Sequence, residues 1–259
     1  MSLAAIDWQR PWLAPWRALG EPLATSNDWI AAANRLAVER CLTNPDGLPL
    51  RFIPQQQLPA GLPYEAHIAA SGQVPTRDNL HDFFNALAWL HFPQTKRQLN
   101  ALHAPALPTE ATSGTRGRQR DAATLFDENA ALVVSDNTAF LTALREHRWH
   151  EALMRSPEQF RAHADVVLFG HALIEKLVTP YKSITAHVWT MAVDSYWFGL
   201  SPEGRLDALD GRVAASIGQG FSSRDFCHLP VLGVPGWWTG QDPLFYADAE
   251  VFRPKRGSA

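Results

Sequence analysis

The chain has 259 residues, 46% of them apolar and 19% charged, with a formal net charge of −3 at pH 7. That composition is typical of an ordinary folded protein with one large or two small cores, and it excludes the global basic field of a nucleic-acid binder, so any anion site must be a local patch. No apolar run approaches the ~20 residues that span a bilayer, MSLAAIDWQRPWLAPW lacks the pattern of a secretory signal, and Cys41 and Cys227, far apart and without metal-type spacing, fit a reducing cytoplasm.

An aromatic arm over 1–26, carrying Trp8, Trp12 and Trp16, precedes a helix expected around Asn27 to Cys41. Trp29, Ile30, Leu36 and Ala37 give that helix an amphipathic face. Leu50 to Gln55 and Tyr64 to Ala70 read as short strands. Thr76 to Phe92 reads as a helix with Thr76 as N-cap, Asp78 near the positive end of the dipole, and Leu80, Phe83, Phe84 and Leu87 as its apolar stripe. A further helix is expected after Pro93, from about Thr95 to His103, followed by a proline-rich flexible loop over 104–118. Between Arg116 and Val134, two short strands are expected to flank a turn at Asp127-Glu128-Asn129. Helices are then expected over about Thr138 to Met154 and Pro157 to Val178, a strand over His187 to Val193, and a helix over Pro202 to Ile217. The last stretch, 228–259, holds Trp237, Trp238, Phe245, Tyr246 and Phe252 without a helical or strand period, so it reads as an irregular wrap packed on the core. No repeat or linker divides the chain. The expected architecture is therefore a single α+β domain, mainly helical, with a small antiparallel sheet or hairpins.

The chemistry concentrates on two segments. In TRDNLHDFFNALAWLHF, Arg77, His81 and Asn85 follow one another at i, i+4 and i+8, with Asp78 and Asp82 in the next row. In DVVLFGHALIEKLV, apolar residues cover nearly the whole circumference of a helix, which should therefore be buried, and His171 and Glu175 share one of its faces. Buried polar groups need partners, and these two helices can supply them to each other or to a metal. His81, Asp82, His171 and Glu175 make two imidazoles and two carboxylates, a ligand set suited to a divalent metal such as Zn, Mn or Fe. Asp121, Asp127 and Glu128 are the candidate catalytic carboxylates, to complete the shell or to act as a base. Arg116, Arg118 and Arg120 alternate, so an extended backbone would point all three one way. Together with Arg77 and Asn85 they would hold a small anionic, phosphoester-like substrate through paired donors.

The function expected on these grounds is metal-assisted hydrolysis, since a metal makes a nucleophile from water at neutral pH. A metal-free site using His81 or His171 as acid and base is a variant of it. The His81-Asp82 dipeptide is shared with phosphohydrolases named after their HD pair, whose other ligands have no counterpart at matching spacing here. The competing expectation is a non-catalytic binding or interaction module, in which the same residues form a buried polar network.

The strings TRDNLHDFFNALAWLHFP, RDAATLFDENAAL, FGHALIEKL and LGVPGWW…FYADAEVFRP, in that order, resemble those of a family of bacterial proteins known as domain of unknown function 3025. The resemblance runs from about Trp8 to about Arg253 and implies no activity and no site residues. The family commonly has DENG where this chain has Asp127-Glu128-Asn129-Ala130, so Asn129 is expected to take the left-handed conformation of the turn.

Overall fold

The computed structural model describes residues 2–103 and 114–255, with the side chains of 114–116 left aside. The N-terminal arm is built of helical turns. Two short 3-10 turns lead into α1 (Arg17–Ala24) and α2 (Trp29–Glu39). Trp12 and Trp16 are each 1% exposed, so the arm is an integral part of the core. Strand β1 (Arg51–Pro54) pairs in parallel with β2 (Gln73–Thr76), and α3 (Tyr64–Ser71) makes the crossover. The strand expected over Tyr64 to Ala70 is thus a helix. Pro63 enters it with extended backbone, Glu65 favours its first turn, and Gly72 ends it in the left-handed region at φ 70°.

Helix α4 (Leu80–His91) is the centre of the molecule: His81 alone among its residues is not buried. It begins three residues later than the Thr76 cap would put it. Thr76 ends β2, with its hydroxyl donating to the Val74 carbonyl, and Asn79 caps the helix by accepting from the Asp82 amide at 2.7 Å. After Phe92 comes α5 (Pro93–His103), whose first amides are capped by the buried Asp210 carboxylate. Asp210 belongs to α11 (Pro202–Gly218), which packs along α5.

The expected hairpin is a helix running into a strand: α6 (Gly114–Asn129) followed directly by β3 (Ala130–Ser135). Ala122, Ala123 and Phe126 are all 0% exposed at helical spacing, and the β-prone residues start only at Ala130. Asn129 ends the helix and is not among the described residues with positive φ. The loop expected over 104–118 falls outside the described residues as far as 113, and from Gly114 the chain is helical.

Next come α7 (Thr138–Arg145), α8 (Trp149–Leu153) and α9 (Pro157–Arg161). They replace two longer helices, the first broken at His147 with φ 57°. The segment read as a buried helix from Asp165 is split as well, into β4 (Ala164–Leu168) and α10 (His171–Lys176). A continuous apolar run fits a buried strand as well as a buried helix, and periodicity cannot separate them. Strands β5 (Thr185–Ala192) and β6 (Cys227–Pro230) complete a four-stranded sheet in the order β4-β3-β5-β6. The sheet is mixed, not antiparallel, because β3 and β5 run parallel. All six residues of β3 are buried, as expected for a strand covered on both faces.

The C-terminal segment wraps the core with short turns and α12 (Pro243–Tyr246). Phe245, Tyr246 and Phe252 pack on one another, and Tyr246 donates its hydroxyl proton to the Gly233 carbonyl. The result is a mainly helical α+β fold with two small sheets around one contiguous apolar cluster. Among the described residues no helix is long and apolar enough to cross a membrane.

Candidate metal centre

Antiparallel pairing brings the site together. Ala131 pairs with Leu168, so the end of β4 lies beside the start of β3. His171, just after β4, therefore meets Asp127 and Glu128, just before β3. The approach is close: the amides of Phe169 and Gly170 both donate to the Ala130 carbonyl at 2.9 Å. A Cβ on Gly170 would lie 2.5 Å from three backbone atoms of Glu128, Asn129 and Ala130. Helix α4 packs on α10 and brings His81 from the other side.

His81 Nδ1 lies 3.0 Å from Glu175 Oε2, and His81 Nε2 faces His171 Nε2 at 3.1 Å. His171 Nε2 is also 3.5 Å from Glu128 Oε2. The carboxylate on His81 Nδ1 places the proton there, which leaves Nε2 as a lone pair. His171 is 4% exposed, and its Nδ1 is buried without a hydrogen-bond partner. Asp127 Oδ2, 4.0 Å from that nitrogen, favours a proton on it. With both protons on Nδ1 the two Nε2 lone pairs point at each other, and a cation between them would bridge them; with one proton on an Nε2 the same contact is a hydrogen bond. Among the described residues, ligand atoms of His81, Glu128 and His171 all lie within 4.8 Å of one another. In a tetrahedral site, metal bonds of about 2.0–2.2 Å put neighbouring ligand atoms about 3.3–3.6 Å apart, near the 3.1 and 3.5 Å separations here.

The surrounding charges are fixed by burial and pairing. Asp127 has both oxygens on Lys96 Nζ, at 2.6 and 2.8 Å. Burial alone would raise this carboxyl, but the Lys96 ammonium outweighs it and holds it below the usual carboxylate range. Lys96 also donates to Asn85 Oδ1 at 2.9 Å, and Asn85 donates to the Tyr64 hydroxyl at 3.0 Å. Burial, then the neighbouring carboxylates, push Tyr64 well above its ordinary range. Glu128 is raised by burial and by the Asp127 charge. Burial drives His171 down to about 4, so at neutral pH it is an uncharged imidazole, the form that binds metals. A cavity of about 380 Å³ opens beside the cluster, lined by Tyr64, Glu65, Arg77, Asn85, Glu128 and both histidines among others.

Of the ligands read from the sequence, His81 and His171 come together as expected. Glu175 sits one step out, on the far nitrogen of His81, and orients the ring instead of joining the cluster. Asp82 turns away: it accepts from the Arg77 amide at 2.6 Å and from the Arg77 guanidinium at 3.0 Å twice. Glu128, read as a catalytic carboxylate, is the third member of the cluster that could hold a metal. Asp127 lines the cavity with both oxygens accepting from Lys96 Nζ. Asp121 is exposed on α6 and does not line the cavity. Nor do Arg118 and Arg120: residues two apart on a helix point to different sides, so the row implied by extended backbone is not formed. The Arg116 side chain lies outside the described residues. Arg77 and Asn85 do line the cavity. Sequence reading missed Lys96 and Tyr64, because each sits in a segment with no other chemistry to flag it.

A family model described as Protein of unknown function (DUF3025) matches residues 50–256. The chain belongs to the DUF3025 family. The match takes in every residue of the His81 cluster and its Lys96–Asp127 support, while α1 and α2 precede it. No curated protein and no solved structure matches the chain.

Proposed function

We propose that this DUF3025 chain binds one divalent metal through His81, His171 and Glu128 and uses it in hydrolysis of a small anionic, phosphoester-like substrate. The observation that carries this reading is the pair of Nε2 atoms 3.1 Å apart, each with its other nitrogen turned to an acidic partner. A bound divalent ion would lower the pKa of a water and polarise a substrate oxygen. The protein's share is orientation and charge. Glu175 holds the His81 ring, and Asp127 with Lys96 backs His171. Arg77, 58% exposed at its side chain and steadied by Asp82, is the one arginine or lysine lining the cavity among the described residues. Lys96, by contrast, is 4% exposed and occupied. Anion recognition thus falls to Arg77, Asn85 and the metal, not to the arginines of α6.

The competing reading, a structural network in a non-catalytic module, is favoured by the Asp127–Lys96–Asn85–Tyr64 chain, whose members satisfy one another. In that reading the facing nitrogens are a hydrogen bond between the two imidazoles, one Nε2–H donating to the other Nε2. Elemental analysis of protein purified without an affinity tag or chelator separates the two. One transition metal per chain, lost in His81→Ala and Glu128→Gln, is the expected result. No metal after reconstitution with Zn, Mn and Fe would sink the metal reading.

A further inference from the structure

A second cavity, of about 920 Å³, lies elsewhere, beside β6. It shares no lining residue with the His81 cluster. Its walls carry Arg145, Arg224, Arg253 and Lys255, against one carboxylate, Glu250. In a chain of net charge −3 this is a concentrated positive field, the local patch that composition left open. Low-dielectric walls strengthen such a field, and arginines supply the paired donors that oxyanions need.

Two of the arginines are held by hydrogen bonds. Arg145 Nε donates to the buried Thr190 hydroxyl at 2.7 Å. Arg253 Nε donates to the Glu250 carbonyl, and its own carbonyl accepts from Trp149 Nε1 at 2.8 Å. Arg224 sits in a 3-10 turn closed by a Ser222–Asp225 capping box. Preorganised donors bind more tightly because less conformational freedom is lost. His147 contributes the wall between α7 and α8. Its φ of 57° is costly for a residue with a side chain, and it lays the ring on Trp149 at 4.7 Å. Burial pushes the Cys227 thiol in this cavity up to about 11, so it stays protonated at neutral pH.

We infer that this cavity is a binding site for a small molecule carrying two or more phosphate charges, distinct from the proposed metal centre. Calorimetric titration of metal-free protein with inorganic pyrophosphate at low salt tests it. Saturable binding at one site per chain is expected, weakening as salt screens the field. Arg224→Ala and Arg253→Ala, both exposed positions, should each weaken binding by about tenfold or more. Arg51→Ala, an exposed arginine that lines neither cavity, and His81→Ala should bind as the parent does. Thermal unfolding of each variant without ligand shows that the fold is kept. Three results would overturn the inference: no heat up to millimolar pyrophosphate, unchanged binding in the Arg224→Ala/Arg253→Ala double variant, or loss of binding in His81→Ala. Citrate binding as tightly as pyrophosphate would overturn the phosphate assignment.

Discussion

Glu175 and Lys96 show how a single side chain can serve the site without touching a metal or substrate. Glu175 fixes the tautomer and orientation of His81 from 3.0 Å away. Glu175→Gln keeps the size but replaces the charge, so metal affinity should fall about 10–100-fold with little change in stability. Competition with a chelating dye measures this; an unchanged affinity would remove Glu175 from the site. Lys96 does the opposite kind of work. Lys96→Met would strand the Asp127 carboxylate, whose side chain is 14% exposed, and should cost about 3–5 kcal/mol. Denaturant unfolding of the variant reads that loss directly. His81 and His171 were legible as residues because each stands out from an apolar stripe. Their partners were not, since which nitrogen faces which carboxylate depends on two helices meeting.

At the scale of elements, the decisive feature is the junction where the α6–β3 and β4–α10 connections cross. Sequence reading placed a turn at Asp127-Glu128-Asn129 and a helix through Gly170, and both were wrong for the same reason. Short apolar runs do not declare strand or helix until a neighbour pairs with them. Helix α4 was legible because its twelve residues carry a long pattern with a defined end at Pro93. The start was misjudged because Thr76 and Asn79 are both good caps, and β2 claims Thr76. At the junction itself, Gly170 has no room for a side chain. Gly170→Ala should displace His171 and cost about 1–3 kcal/mol or more through overpacking. The variant should lose metal and stability together, whereas Glu175→Gln loses metal alone; Gly170→Ala at parental stability would mean that the junction relaxes easily.

Over the whole molecule, the arm, α4 and the C-terminal wrap form one layer of aromatic packing. Trp16 meets His91 edge-on at 5.0 Å, Trp8 and Trp29 pack on Phe83, and Trp12 reaches Trp237. His91 is thereby buried, and burial drives its pKa down from 6.5 to about 4. Between those values the unfolded chain binds a proton that the folded chain refuses. The stabilisation is therefore complete above about pH 6.5 and is lost as pH falls towards 4, by on the order of 3 kcal/mol. Urea unfolding at pH 7 and at pH 4.5 should show this loss, and His91→Leu should shrink it. An equal acid loss in the variant would assign the effect to other groups.

The sequence by itself determined the class of fold, the buried α4 stripe, the aromatic arm and wrap as packing segments, and the two histidines as the centre of interest. These follow from periodicity and from the cost of burying apolar or polar groups, which act locally along the chain. Only the tertiary structure decided that Glu128 joins the histidines while Asp82 turns to Arg77, that Lys96 and Tyr64 back the site, and that a cationic cavity forms from Arg145, Arg224 and Arg253. Those groups lie far apart in the chain, and no local pattern records a meeting that is set by strand pairing and helix packing.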